Sequence, residues 1–275
     1  MEINENEYYK CKKCGNIYKL QKSSNVNFAT VQKQKRGSIK KISKSQYIVL
    51  RTGEIKDFKN SNTKTDDNIR SMRRALEDCR DLINASVVNE ENAMALTLTY
   101  ENIICDTKQV GKDFTAFIRK LRRQIADCEY IYVLELQKRG SWHIHAILIF
   151  DGPVPSISNE QIGGIWNKGI INSSQVKDIK RLSLYLTAHV GKDKNGNTTI
   201  KGIPIEKYEK GMKVYRYSRG LKKPKSEYKK GSAVNEDIVN MKQVYDTQYN
   251  YTAPNGFHTT VYKSTFINKD KSKRE

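Results

Sequence analysis

The chain has 275 residues and a formal net charge of +20, from 50 lysines and arginines against 30 aspartates and glutamates. Such an excess of positive charge favours a nucleic-acid partner, with a merely soluble, lysine-rich protein as the alternative. No apolar run approaches the ~20 residues that span a bilayer and the N-terminus has no signal-like apolar core, so we expect a cytoplasmic protein without a membrane partner.

The N-terminal region, residues 1–62, is polar and weakly patterned, with one strand predicted at Tyr47–Leu50. The chain has five cysteines, an odd number that argues against a disulfide framework. Cys11 and Cys14 form the half of a zinc ribbon or knuckle, which needs two further ligands. The pair is therefore either a degraded finger or a zinc site that distant residues complete.

Apolar periodicity predicts the elements of a central unit, residues 66–200. In chain order they are a basic helix at 66–85, a strand at Met94–Tyr100, a helix at 112–126, a strand hairpin at 129–150, a short helix near 158–166, a strand near 170–176 and a helix at 178–193. A basic segment at 201–231 adds a strand at Lys213–Tyr217, and residues 232–275 form a polar tail whose last dozen residues we expect to be disordered. This order predicts an α+β fold, an antiparallel sheet with helices on one face.

Two of the four histidines lie in one predicted strand, as His143 and His145. Because strand side chains alternate between faces, both imidazoles point the same way, about 7 Å apart, and can converge on one metal ion. Glu135 lies in the preceding strand, and a turn centred near Gly140 predicts that it falls opposite His145. Two imidazoles and a carboxylate form a three-ligand site with open positions, as in catalytic centres for Mn²⁺ or Mg²⁺, or alternatively Zn²⁺. Two buried structural histidines are the alternative.

The helix predicted at 178–193 places Tyr185, His189 and Lys192 at i, i+4 and i+7, on one face. A phenol can attack a phosphodiester while nearby cations neutralise the phosphate charge, and His189 can act as a general base. Simple amphipathic packing of the tyrosine is the alternative.

Arginines and lysines cluster in the first helix and again in the segment 201–231. These candidate DNA-binding residues are Arg70, Arg73 and Arg74, near Arg80, and then Lys213, Arg216, Arg219, Lys222 and Lys223. Tyrosines that could stack on unpaired bases, among them Tyr208 and Tyr217, are interleaved with the second group.

Four ordered blocks resemble the motifs of the HUH endonuclease superfamily, and in particular rolling-circle replication initiators of plasmids from Gram-positive bacteria. The likeness covers about residues 66–225. The blocks are Ala95–Tyr100, Glu135–Ala146, Ile165–Ile171 followed by Tyr185–Lys192, and the basic Gly211–Pro224.

The resemblance implies a five-stranded, ferredoxin-like or RRM-like sheet with the two histidines on a central strand. It also implies a nickase: Tyr185 would attack single-stranded or hairpin origin DNA and leave a 5′-phosphotyrosyl link and a free 3′-OH. Host helicase and polymerase would then be partners. A homodimer, in which a second protomer supplies its own tyrosine, is one way to complete the cycle.

His189 departs from the family pattern, in which a tyrosine occupies that position of the helix. Two-tyrosine members carry one at the position of Tyr185 as well, so we expect Tyr185 to be the nucleophile. The alternatives are a single-tyrosine transposase on the same scaffold and a non-catalytic DNA- or RNA-binding regulator.

Overall fold

The computed structural model describes residues 2–24, 39–43, 45–50, 52–57, 64–187, 190–194, 196, 198–200, 203–208, 212–252 and 258–269. The chain divides into two compact units. The central unit is Thr63–Lys223, and the terminal unit combines Met1–Asn62 with Pro224–Glu275. No helix in these described ranges is long and apolar enough to cross a membrane.

The helices and strands are numbered in chain order. The terminal unit contains β1 (Tyr8–Cys14), β2 (Ile17–Ser23), β3 (Ile39–Lys41), β4 (Gln46–Val49), β5 (Ile55–Asp57), β14 (Lys225–Lys230), α5 (Gly231–Ile238), β15 (Met241–Thr252) and β16 (His258–Asn268). The central unit contains α1 (Lys64–Ser86), β6 (Ala93–Thr99), α2 (Thr107–Gln124), β7 (Glu129–Leu136), β8 (Trp142–Ile149), α3 (Asn159–Trp166), β9 (Ile171–Gln175), α4 (Ile179–Thr187), β10 (Val190–Lys192), β11 (Thr198–Ile200), β12 (Ile203–Pro204) and β13 (Tyr215–Tyr217).

The central unit is built on a five-stranded antiparallel sheet in the order β13-β7-β8-β6-β9. The strands, the helices α1 and α3 and the hairpin lie close to their predicted positions, so the α+β prediction is confirmed. Helix α2 begins five residues before the predicted 112, because the side chain of Asp106 caps it by accepting a hydrogen bond from the Lys108 amide. Strand β8 occupies the middle of the sheet.

Helices cover both faces of this sheet, which corrects the prediction of helices on one face. On one face, Ile144 and Leu148 of β8 pack with Phe114 and other apolar residues of α2 and α3. On the opposite face, Ile147 of β8 packs with Ile83 of α1 and with residues of α4. Strand β8 carries apolar residues on both sides, so each side needs its own cover.

The terminal unit has its own five-stranded antiparallel sheet, in the order β14-β1-β2-β16-β15. Helix α5 packs on one face through Val234, against Tyr9, Leu20 and Phe266. The strand predicted at Tyr47–Leu50 is confirmed as β4. The expected disorder of the last dozen residues is wrong for residues 264–268, which pair with β15 and β2.

Candidate active site

His143 and His145 lie on one face of β8, as the alternation of strand side chains predicts. Their rings are 6.1 Å apart between centroids. The neighbouring strand β6 places Thr97 opposite His145, and Thr97 Oγ1 lies 3.1 Å from His145 Nδ1. A hydrogen bond at Nδ1 holds the ring so that Nε2 faces the remaining site residues. Thr97 is a positioning residue that the sequence reasoning missed, although it belongs to the block Ala95–Tyr100.

Glu135 joins the histidines from β7, but in a register different from the predicted one. It pairs with His143, and Val133 is the residue opposite His145. The link has five residues, closed by a hydrogen bond from the Gln137 amide to the Ser141 carbonyl, so its centre is Arg139 and not Gly140. The carboxylate nevertheless reaches diagonally, with Glu135 Oε2 3.0 Å from His145 Nε2. The wrong register therefore still yields the expected neighbours.

The donor set of Glu135, His143 and His145 has the chemistry of a divalent-metal site, and its geometry fits in part. Two donors each about 2.1 Å from one ion lie about 3.0 Å apart at a right angle, which is the separation of the Glu135 and His145 donor atoms. Two imidazoles on one ion have ring centres about 4.6 to 5.3 Å apart, which is closer than the 6.1 Å between the two histidine rings. Within the described ranges, no group of three or more His, Cys, Asp or Glu side chains is arranged to hold a metal ion as it stands. The His143 ring would have to move by about an ångström toward His145 to complete the site.

Tyr185 lies beside this cluster, on helix α4. Its ring meets the His145 ring edge to face, with 6.2 Å between centroids and an interplanar angle of 88°. The Tyr185 side chain is 55% exposed, whereas the His145 side chain is only 10% exposed. The phenol therefore sits at the solvent side of the cluster, where a nucleic-acid strand can reach it, and the imidazole lies beneath it.

Helix α4 ends at Thr187, so the predicted helix face of Tyr185, His189 and Lys192 does not exist. Lys192 lies in β10, pairs with Thr198 of β11 and has an exposed side chain. His189 lies outside the described residues. The Thr187 hydroxyl donates to the Ser183 carbonyl at 2.6 Å, a side-chain bond that competes with the helical pattern, and the β-branched Val190 that follows pairs with β11.

Helix α4 is held against α1 by buried side chains, which determines where Tyr185 lies. Arg80 Nε donates to Thr187 Oγ1 at 2.8 Å, and Ser183 Oγ donates to Asn84 Oδ1 at 3.3 Å. Leu186 belongs to the apolar cluster that includes α1 residues and the sheet. Arg80, grouped by sequence with the basic cluster, is thus a structural residue of this helix pair.

The loop after α3 fixes the end of β6 next to the site. Trp166 Nε1 donates to the Thr99 carbonyl at 3.1 Å, and the Arg139 guanidinium donates to the Tyr100 carbonyl. Gly169 has a φ of +146°, and a Cβ at this position would collide with the backbone of Thr99. These contacts give the block Ile165–Ile171 a structural reason for its composition.

Most of the candidate DNA-binding residues have exposed side chains. These are Arg70, Arg73, Arg74, Lys213, Arg219, Lys222 and Lys223. Arg216 is half-buried, since its Nη1 donates to the Tyr132 hydroxyl at 3.3 Å and its guanidinium lies over Gly111.

The tyrosines of the same segment differ in their availability for stacking. Tyr208 is only 3% exposed and packs edge to face on Trp142, so the expectation that it stacks on bases is wrong. Its burial, together with the negative charge of Glu135, raises the pKa of its phenol to about 12. Tyr217 is exposed and has Lys223 Nζ 5.4 Å from its ring centroid, an arrangement suited to nucleic acid.

Cys11 and Cys14 are both buried in β1. Residues three apart on a strand point to opposite faces, so these two thiols do not converge in the way that the pair in a zinc knuckle does. Burial also raises the pKa of the Cys11 thiol, which packs in the core beneath α5.

The fold and the site together define an α+β protein whose central antiparallel sheet carries a histidine pair, a carboxylate and a neighbouring tyrosine. A family model described as a replication-associated protein, of the ORF2 type, matches residues 93–194. The match begins with β6 and contains Glu135, both histidines, Tyr185 and Lys192. It supports a replication-initiator family. No curated protein and no solved structure matches the chain.

Proposed function

We propose that the protein is a site- and strand-specific DNA nickase that starts rolling-circle replication. The observation that carries this proposal is the contact between the Tyr185 ring and the His145 ring, with the Glu135 carboxylate 3.0 Å from the same imidazole. A nucleophile, an imidazole and a carboxylate are thereby gathered at one place in the segment that the replication-associated family model matches.

In the proposed reaction, the Tyr185 hydroxyl oxygen attacks the phosphorus of the scissile phosphodiester. The new Tyr185–phosphorus bond forms as the bond from phosphorus to the 3′-oxygen breaks. The phenol proton leaves to a base, for which His189 is the proposed group, and the departing 3′-oxygen takes up a proton from solvent. The products are a 5′-phosphotyrosyl link and a free 3′-OH, a polarity that rests on the family resemblance.

We assign Glu135, His143 and His145 as the ligands of a divalent ion, Mn²⁺ or Mg²⁺, with Zn²⁺ as the alternative. A bound ion would polarise the phosphate and stabilise the charge that develops on it. Lys192 remains our candidate for neutralising phosphate charge, from β10 and not from the helix of Tyr185.

We propose single-stranded or hairpin origin DNA as the substrate. The exposed basic residues of α1 and of the segment 201–231 would hold its phosphates, and a 3′-OH product implies host helicase and polymerase as partners. A homodimer would offer a second Tyr185 for the closing step.

The test is a covalent adduct. The protein is incubated with Mn²⁺ and labelled single-stranded origin DNA, then denatured and separated by electrophoresis. Tyr185→Phe should abolish the labelled protein band, while Tyr217→Phe, which alters an exposed tyrosine of β13, should leave it. An adduct that persists in Tyr185→Phe would refute the assignment of the nucleophile.

A second candidate function is a non-catalytic DNA-binding regulator, which the histidine at position 189 favours because the resembled family has a tyrosine there. This candidate predicts origin binding without any adduct in the wild-type protein. The same gel, run beside a binding assay, therefore separates the two functions.

A further inference from the structure

The terminal unit presents a basic and aromatic surface on the sheet face that lies opposite helix α5. Helix α5 contacts the other face, where Asp237 accepts hydrogen bonds from the Tyr18 hydroxyl at 2.6 Å and from Lys229 Nζ at 2.8 Å. We call the opposite surface the lysine–tyrosine face and define it by Lys10, Lys12, Lys19, Lys263, Tyr228 and Tyr249.

The strand register places these six residues together. Lys10 pairs with Tyr228, and Lys12 pairs with Lys19. Lys263 pairs with Gln21, two residues along β2 from Lys19. Tyr249 belongs to the same face because Lys263 Nζ lies 5.5 Å from its ring centroid. Since paired residues and alternate residues of a strand share a face, the six side chains spread over all five strands of one surface.

The charge of this face is of one sign. Among the described residues of its five strands, the only carboxylates are Glu227 and Asp246. Glu227 pairs with Cys11, on the face of α5, and Asp246 accepts a hydrogen bond from Ser264 at 2.6 Å on that same face. On the lysine–tyrosine face, by contrast, Lys12 and Lys19 stand directly opposite each other. Like charges at opposed strand positions are destabilising, and a bound polyanion would relieve that cost.

The shape and the aromatic side chains indicate which polyanion fits. Five strands about 4.8 Å apart form a surface about 19 Å wide, too broad to enter the ≈ 12 Å major groove of duplex DNA. Tyr249 is 41% exposed at one side of the surface, and Tyr228 is partly exposed at the other. Lysines among exposed aromatic rings are the combination that holds single strands, through phosphate contacts and base stacking.

We propose that the lysine–tyrosine face binds single-stranded DNA without sequence preference. The proposal concerns a surface separate from the nicking residues, and it rests on the proposed function only for the choice of DNA over RNA. Such a surface would hold a strand exposed during initiation, independently of the origin sequence.

The test measures the binding of the full-length protein to a fluorescent oligothymidylate over a range of salt concentrations. The double variant Lys12→Gln/Lys19→Gln removes the opposed lysines of this face. The control Lys13→Gln/Lys225→Gln removes an opposed, exposed lysine pair from the α5 face of the same sheet. At 0.1 M salt, the loss of two phosphate contacts should weaken binding about 25-fold and reduce the salt slope by about 1.4. The control should change affinity less than about threefold, and equal losses in the two variants would overturn the proposal.

Two further measurements separate stacking from charge and DNA from RNA. Tyr249→Ala should weaken oligothymidylate binding on the order of tenfold and leave the salt slope unchanged. An unchanged affinity would remove the stacking part of the proposal, and tighter binding of oligouridylate would overturn the choice of DNA. The adduct assay keeps the two proposals apart. Binding that depends on Lys12 and Lys19 in a protein that forms no adduct refutes the nickase alone, whereas an adduct without such binding refutes this face alone.

Discussion

Thr97 provides the sharpest test of the candidate metal site, because its hydroxyl lies 3.1 Å from His145 Nδ1. Replacing Thr97 with valine removes the hydroxyl and keeps the branched shape that a strand favours. The ring would lose the bond that orients Nε2 toward Glu135. Loss of such an outer partner costs about 10- to 100-fold in metal affinity, which corresponds to about 1.4 to 2.7 kcal/mol.

The measurement is a calorimetric titration with Mn²⁺, accompanied by thermal unfolding of the metal-free protein. Thr97 is half-buried, so Thr97→Val should change the free energy of unfolding by less than about 1 kcal/mol. The control is Thr99→Val, two residues further on the same face of β6 and opposite His143. It should leave Mn²⁺ affinity within about threefold. Equal affinities of wild type and Thr97→Val, with folding intact, would refute the role of Nε2 as a ligand atom.

Two further predictions concern stability and thiol chemistry. Gly169→Ala should lower the free energy of unfolding by about 2 to 4 kcal/mol, since its φ is positive and a Cβ would meet the Thr99 backbone, whereas Gly164→Ala, which meets nothing in α3, should be neutral or slightly stabilising in a denaturant titration. A thiol reagent at pH 8 should label Cys105 first, because it is the exposed cysteine and burial raises the pKa of Cys128 to about 11, which keeps that thiol protonated. Fast labelling that persists in Cys105→Ser would contradict this order, as would equal losses of stability in the two glycine variants contradict the glycine argument.

The histidine pair and its carboxylate can be predicted because the information is local. His143 and His145 share a face by alternation alone, and the hairpin that carries Glu135 is closed by a five-residue link within the same segment. The predicted register is wrong because it depends on the centre of the turn, which is at Arg139. The long glutamate side chain spans the difference, so the site survives an error of register.

The end of α4 cannot be read from periodicity. Leu182, Leu186 and Val190 recur at helical spacing, yet Val190 pairs with Ile200 in a strand. The competing partner is distant in sequence, and so is Arg80, whose bond to Thr187 fixes the last turn of the helix. Tertiary partners, not local propensity, decide where this helix stops.

The sheet of the terminal unit escapes sequence reasoning for a related cause. Its strands come from both ends of the chain, and Lys19, for example, pairs with Thr265. Many of its side chains on both faces are polar or tyrosine, so the alternation of apolar and polar residues that marks a half-buried strand is weak. Helices on both faces of the central sheet are likewise hidden, because a strand buried on both sides shows no alternation.

Helix α1 links the recognition and the chemistry that we propose for the central unit. Its first half presents Arg70, Arg73 and Arg74 to solvent, where phosphates can reach them. Its second half holds α4 through Arg80 and Asn84, and α4 carries Tyr185. The histidines, in contrast, are set by the sheet and its core. The distance between nucleophile and ligands is therefore set by how α1 packs on the sheet, and a DNA strand that binds the arginines acts on the same rigid helix that positions the tyrosine. This arrangement explains why an exposed basic helix in this protein has an inner face of buried polar bonds as well as apolar residues.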